Sequence, residues 1–269
     1  MHQPVANARM YSATPRLREA WKQLLGWVLA RADLDWPLLD YDAPAPLSQL
    51  WARQDLGAVL MCGLPFAHRS VSAQAIAAPI PSPPRYGGRA VYFTDIVVRA
   101  DSPAKTLADT FGGTVGYTVP DSLSGAIALA EHLAPLRRAS GTPLYRAAVG
   151  GLIHARGVIA ALAEGRIDVG PLDSYYHDLL RADDPALAAR VRVIATTVAR
   201  PLPLFAATAP VPASALKRLR EAFAAAAQAE ELATQRQALL LRGFAFPEPG
   251  GYDQLKHLPA SLDDPEVVF

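Results

Sequence analysis

Short, almost unbroken apolar runs alternate along this chain with longer segments in which apolar residues recur every three or four positions. A run of the first kind suits a strand covered on both faces, and a segment of the second kind suits an amphipathic helix. Strands are therefore predicted at ANARMYS, WPLLDY, GAVLMCG, TVGYTV, YRAAVGG, IDVGPLD and VRVIATTV. Helices are predicted over Pro15 to Ala32, Pro46 to Arg53, Leu123 to Arg138 and His154 to Glu164. Strand and helix in regular alternation predict an α/β fold with mostly parallel sheets flanked by helices.

Two features divide this pattern. The segment APIPSPPRYGG, residues 78 to 88, is rich in Pro and Gly and is predicted to be a loop. After it comes a long β-like run, AVYFTDIVVRAD, and a comparable run, RVRVIATTVARPLPLF, closes the next block. Two extended segments on either side of one compact α/β block predict a chain that crosses into a second lobe and returns. Lobe one would comprise residues 1–93 and 199–269, and lobe two residues 94–198, with crossovers near Thr94 and Val198. The Ala-rich stretch from Ala213 to Arg242 is read as helices that close lobe one.

Composition narrows the function. With 269 residues the chain can bury a sizeable core. A formal net charge of +1, with dispersed basic residues, gives no support for nucleic-acid binding. No apolar run reaches the roughly 20 residues that a membrane-spanning helix needs. The single cysteine, Cys62, forms no intramolecular disulfide, and its flanks VLMCGLP read as a packed strand end. The six histidines lack metal-ligand spacing, and no nucleophile elbow, P-loop or dinucleotide-binding glycine motif occurs, so neither metal, cofactor nor catalysis is expected.

The chemistry to be expected is that of turns. In GYTVPDSLSGAIALAEHL, from Gly116 to Leu133, small hydroxyl residues and a glycine fall where a strand passes into a helix. Such a turn points unpaired N–H groups and the positive end of a helix dipole at one spot, which favours an oxyanion. Ser122, Ser124 and the backbone N–H of Gly125 and Ala126 are the candidate donors, and a plain N-cap is the alternative. Asp173 and Ser174 repeat the arrangement after IDVGPLD, where Asp173 is either a cap or a ligand group, and Tyr175 or Tyr176 would add an aromatic wall while the other joins the core. Gly63 and Gly116 are read as serving turns or packing.

These segments carry a family likeness. The run VVRADSPAKTLADTFGGTVGYTVPDSLSGAIALAEHL resembles the stretch of phosphate/phosphite/phosphonate-type substrate-binding proteins of ABC importers in which VVR-x-DSP and LADL-x-G precede a strand and an STSG-like turn. AALAEGRIDVGPLDSYYHDLL is similar to that family's AV-x-x-G-x-x-D-x-x-x-x-DS motif, and DLGAVLMCGLPFA to its strand ending in a GPL-type turn. The three segments lie in consistent order over residues 56 to 200.

The resemblance implies a type II periplasmic-binding fold, two α/β lobes that clamp a ligand between them. It implies a small anionic ligand (a phosphonate, phosphate ester or related oxyanion), an ABC permease as partner and a monomeric receptor. It places Ser122, Ser124, Gly125 and Asp173 at the ligand, and His154 at the start of the next helix as a donor or a cap. Lobe one is then expected to supply an opposing turn, at Tyr11, Ser12 and Thr14, with Phe66 and Asp95 as further contacts; a core aromatic and a capping acid are the alternatives for the last two. One departure is Leu123, which stands where the family has a threonine and removes a hydroxyl donor. The first residues show no basic start followed by an apolar segment, so a periplasmic location is expected if a leader has been removed, and otherwise a cytoplasmic sensor or enzyme on the same fold.

Overall fold

The computed structural model describes residues 3–69, 73–263 and 269. They form two compact units, the first made of residues up to Val91 together with Pro201–Leu255, the second of Tyr92–Arg200 and Lys256–Phe269.

In the first unit, β1 (Val5–Asn7) runs parallel to β2 (Leu56–Met61), with α1 (Pro15–Arg31) and the short α2 (Leu47–Trp51) between them. The short α3 (Gly63–Ala67) leads to β3 (Gln74–Pro81) and then to β4 (Val91–Tyr92) at the unit boundary. The sheet has the order β1-β2-β11-β3-β12, where β11 is Leu204–Ala207 and β12 is Leu241–Ala245. Strand β11 lies antiparallel to both β2 and β3, so this sheet is mixed rather than mostly parallel. The cause is connectivity: β11 is entered directly from the returning crossover, without the intervening helix that enforces parallel pairing. Helices α1, α8 (Ala213–Ala226) and α9 (Ala233–Ala238) enclose an aromatic core. In it Trp21 meets Phe205 edge-on at 5.9 Å, and Phe205 and Phe244 each lie 4.8 Å from Phe223.

Three sequence expectations change here. Ala78 to Pro81 belong to strand β3, not to a loop, and pair with β12. Pro79 and Pro81 are compatible with a strand because they alternate with Ile80 and Ser82, and the Ser82 N–H reaches Leu240 O across the same edge, so the missing donors point away from β12. The helical stretch from Ala213 stops at Ala238, and Arg242 lies in β12. Finally, WPLLDY forms only an isolated bridge between Leu38 and Ala6.

The second unit is built on β5 (Thr94–Arg99), antiparallel to β8 (Gly170–Asp173) on one side and to β9 (Val191–Thr196) on the other. Strands β6 (Thr114–Gly116) and β7 (Ala147–Val149) pair in parallel, and a parallel bridge between Val115 and Val169 aligns β6 with the entry to β8. This sheet too is mixed, with the crossover strand β5 as the antiparallel member. The helices are α4 (Ala128–Ser140), α5 (Ala155–Ala163), α6 (Ser174–Asp183) and α7 (Pro185–Ala188), and β10 (Arg200–Pro201) lies at the exit. Ile96, Val98, Val115, Leu129, Leu133 and Val169 form the centre of its core.

Residues 256–269, expected in lobe one, count with the second unit. Phe269 packs on Tyr117 at 5.8 Å and the Leu262 N–H donates to Pro120 O at 2.9 Å, and these contacts hold the segment there.

Candidate functional site

Because β6, β7 and the approach to β8 run in the same direction, their C-terminal ends lie along one edge of the sheet of the second unit. Each is followed by a helix, and each helix begins with a polar cap: Ser122, His154 and Asp173. Three helix N-termini at one edge concentrate positive potential and donor N–H groups there.

The first terminus keeps several donors unpaired among the described residues. Residues Leu123–Ile127 form one π-helical turn that runs straight into α4. Ser122 Oγ accepts the Gly125 N–H at 3.1 Å, which leaves its own hydroxyl proton without an acceptor among the described residues. The backbone N–H groups of Leu123 and Ser124 likewise have no acceptor among the described residues. Leu123 itself is fully buried, so this position offers the site its N–H and nothing from its side chain.

Ser124 and Asp173 meet directly. The Ser124 hydroxyl donates to Asp173 Oδ2 at 3.1 Å, while Asp173 Oδ1 takes the N–H groups of Tyr175 and Tyr176, both at 3.0 Å. The carboxylate therefore neutralises the start of α6, and the Ser124 proton is turned towards it. The Thr94 hydroxyl donates to Ser124 O at 2.8 Å, which fastens the turn to the first residue of β5. Behind the turn, the Thr118 N–H donates to Gly125 O at 2.9 Å.

At the second terminus, His154 caps α5 by accepting the Gly157 N–H on Nδ1 at 3.2 Å. In the neutral ring this puts the proton on Nε2. The preceding Ile153 is held at φ 66°, a region that β-branched residues rarely enter. This fixes the direction from which the chain reaches the cap.

Thus Ser122, Ser124, Gly125 and Asp173 form one connected cluster, and His154 stands on the same sheet edge. Two other residues of this unit are corrected by their surroundings. Asp95 is fully buried, with Oδ2 3.0 Å from His177 Nδ1 and Oδ1 3.3 Å from the donating Thr196 hydroxyl, so it is an interior hydrogen-bonding residue and has no open face for a ligand. Tyr175 is likewise fully enclosed and belongs to the core, whereas its neighbour Tyr176 keeps 8% of its surface.

The remaining candidates lie in the first unit. Tyr11 is buried at 1% exposure and ends a 3-10 turn, so it too is an interior side chain and not an open contact. Ser12 lines a crevice of about 30 Å³, and its hydroxyl donates to Ala8 O at 3.3 Å. Thr14 caps α1 by accepting the Leu17 N–H at 3.2 Å. Thr14→Ala is expected to cost about 1 kcal/mol in urea unfolding, the usual effect of losing such a cap. Phe66 is half-buried and stands edge-on to Tyr252 at 5.4 Å. Among the described residues, no group of three or more His, Cys, Asp or Glu side chains is placed to hold a metal, and no helix is long and apolar enough to cross a membrane.

This architecture is that of the type II periplasmic-binding fold. It is similar to a binding-protein component of an ABC phosphonate transporter, PA3383 from Pseudomonas aeruginosa, with a TM-score of 0.76 and 15% identity over 95% of this chain and 86% of that one. It is also similar to PhnD1 from Prochlorococcus marinus in complex with methylphosphonate (TM-score 0.72, 12% identity, 94% and 96% of the two chains). XAC2383 from Xanthomonas citri bound to ATP has a TM-score of 0.66 and 22% identity, covering 95% of each chain. No curated protein matches the chain. Residues 16–248 match the family described as ABC transporter, phosphonate, periplasmic substrate-binding protein, and the chain belongs to that family.

Proposed function

We propose that the protein captures a small tetrahedral phosphorus oxyanion, a phosphonate or phosphate ester, at the Ser122–Gly125 turn and delivers it unchanged to an ABC permease from the periplasmic side. The observation that carries this reading is the start of the helix at Leu123, where the Ser122 hydroxyl and the N–H groups of Leu123 and Ser124 are left without acceptors among the described residues. A helix N-terminus with unsatisfied donors and a favourable dipole is suited to an anion. Membership of a phosphonate-transport family and the methylphosphonate complex of PhnD1 support the choice of phosphorus. Asp173, beside the turn, favours ligands that also carry a cationic or hydrogen-bond-donating group, such as an aminoalkylphosphonate.

The test is thermal unfolding with methylphosphonate, 2-aminoethylphosphonate, inorganic phosphate, sulfate and acetate, each titrated to saturation. A ligand at about a hundred times its Kd stabilises the native state by about 2.7 kcal/mol. The expected result is a shift with at least one phosphorus ligand, largest for the aminoalkyl compound, and recovery of that ligand intact by phosphorus NMR. A response to acetate alone, or a ligand returned cleaved, would overturn the proposal.

A further inference from the structure

We infer that Thr118 is a ligand-binding residue whose hydroxyl supplies the donor that the turn loses at Leu123. The inference rests on the reading of the Ser122–Gly125 turn given above and deepens it.

Thr118 lies just beyond β6, on the strand side of the turn, and its N–H bond to Gly125 O holds the strand exit against the first turn of the helix Leu123–Ser140. Its side chain faces Gly125 so closely that a Cβ on residue 125 would stand 1.9 Å from Thr118 Oγ1 and 2.9 Å from Ser122 Oγ. Both hydroxyl oxygens therefore lie beside Gly125 in the first turn of the helix. Only 6% of Thr118 is exposed, yet its hydroxyl has no hydrogen-bond partner among the described residues, nor is it among the fully enclosed polar atoms. The hydroxyl oxygen thus keeps a little accessible surface and is open to an incoming acceptor, which a valine of the same volume would not serve.

The donor count then defines the ligand more closely. Leu123 contributes no hydroxyl and the Ser124 proton is held by Asp173. The Gly125 N–H is taken by Ser122 Oγ, and the donors left include the hydroxyls of Thr118 and Ser122 and the N–H groups of Leu123 and Ser124, from the strand side and the helix side. Donors from two sides suit an anion with three oxygens around a tetrahedral centre better than a planar carboxylate with two.

The experiment compares the unaltered protein with Thr118→Val and Thr118→Ser by calorimetric titration with methylphosphonate and inorganic phosphate, alongside the melting temperature of each unliganded protein. Thr118→Val is expected to bind about tenfold more weakly, the scale of one hydrogen bond to a charged group, without a lower melting temperature. Thr118→Ser is expected to keep the wild-type affinity. If the valine variant also melts lower, the serine variant decides: wild-type affinity supports the hydroxyl, and affinity as weak as that of valine overturns it. Valine binding equal to wild type overturns the Thr118 assignment alone. If the unaltered protein takes only 2-aminoethylphosphonate, the same comparison is made with that ligand; if it takes none of the three, the reading of the turn falls, and this inference with it.

Discussion

Gly125→Ala is expected to abolish measurable methylphosphonate binding and to lower stability by about 1–3 kcal/mol, the usual range for an overpacked interior site. The new methyl group would lie 1.9 Å from Thr118 Oγ1, 2.9 Å from Thr118 Cβ and 2.9 Å from Ser122 Oγ. Rotation of the threonine side chain moves its hydroxyl but not its Cβ, so the contact is relieved only by parting the strand exit from the helix. The Thr118 N–H to Gly125 O bond opposes that movement. Either way the two hydroxyls are driven from the positions that the proposed binding mode requires. Calorimetric titration paired with urea unfolding would measure both effects, and wild-type affinity in this variant would exclude the turn as the binding site.

Asp95→Ala is expected to cost about 1–3 kcal/mol, the range found when a buried polar partner is left without its hydrogen bond. Asp95 is 0% and His177 1% exposed at their side chains, and the two side chains lie 3.0 Å apart. His177 Nε2 already has no hydrogen-bond partner among the described residues, so loss of Asp95 would leave the imidazole poorly satisfied at both nitrogens. Asp95→Asn, which preserves shape and one acceptor, should lose less. The affinity of the folded protein for its ligand should stay near wild type in both variants. A stability loss within experimental error would show that the pair is dispensable, and a selective loss of affinity would return Asp95 to the ligand site.

The different fates of these residues show what the sequence could convey. Ser122, His154 and Asp173 are legible because capping is local: a polar side chain, a helical period behind it and a strand-like run or turn in front are all visible within a dozen or so residues. Asp95 is misread from sequence because an acid in a β-like run gives no sign of its partner, and His177 lies far along the chain on another element. Thr118 escapes notice for the same reason. In TVGYTV it reads as one more β-branched strand residue, and only the fold brings its hydroxyl against Gly125.

The strands show a similar limit. GAVLMCG announces β2 by its unbroken apolar character, whereas the prolines of β3 are misleading until its neighbours are known. Proline forbids only the hydrogen bond on its own side, and which side faces a partner is a property of the sheet. Phe269, at the far end of the chain, carries no local signal of the aromatic neighbour it finds in Tyr117. Periodicity and capping thus reveal the elements of the second unit, while long-range contacts settle which polar residues are structural.

The π turn at Leu123–Ile127 closes with bonds from the Ile127 N–H to Ser122 O and from the Ala128 N–H to Leu123 O, each spanning five residues instead of four. Such a turn is the shape an α-helix takes when one extra residue is inserted without disturbing the turns beyond it. Segment length is then a variable of this site in its own right. A gap of a single residue, which most sequence comparisons penalise inside a helix, would reshape the first turn while leaving Leu129 and Leu133 seated in the core.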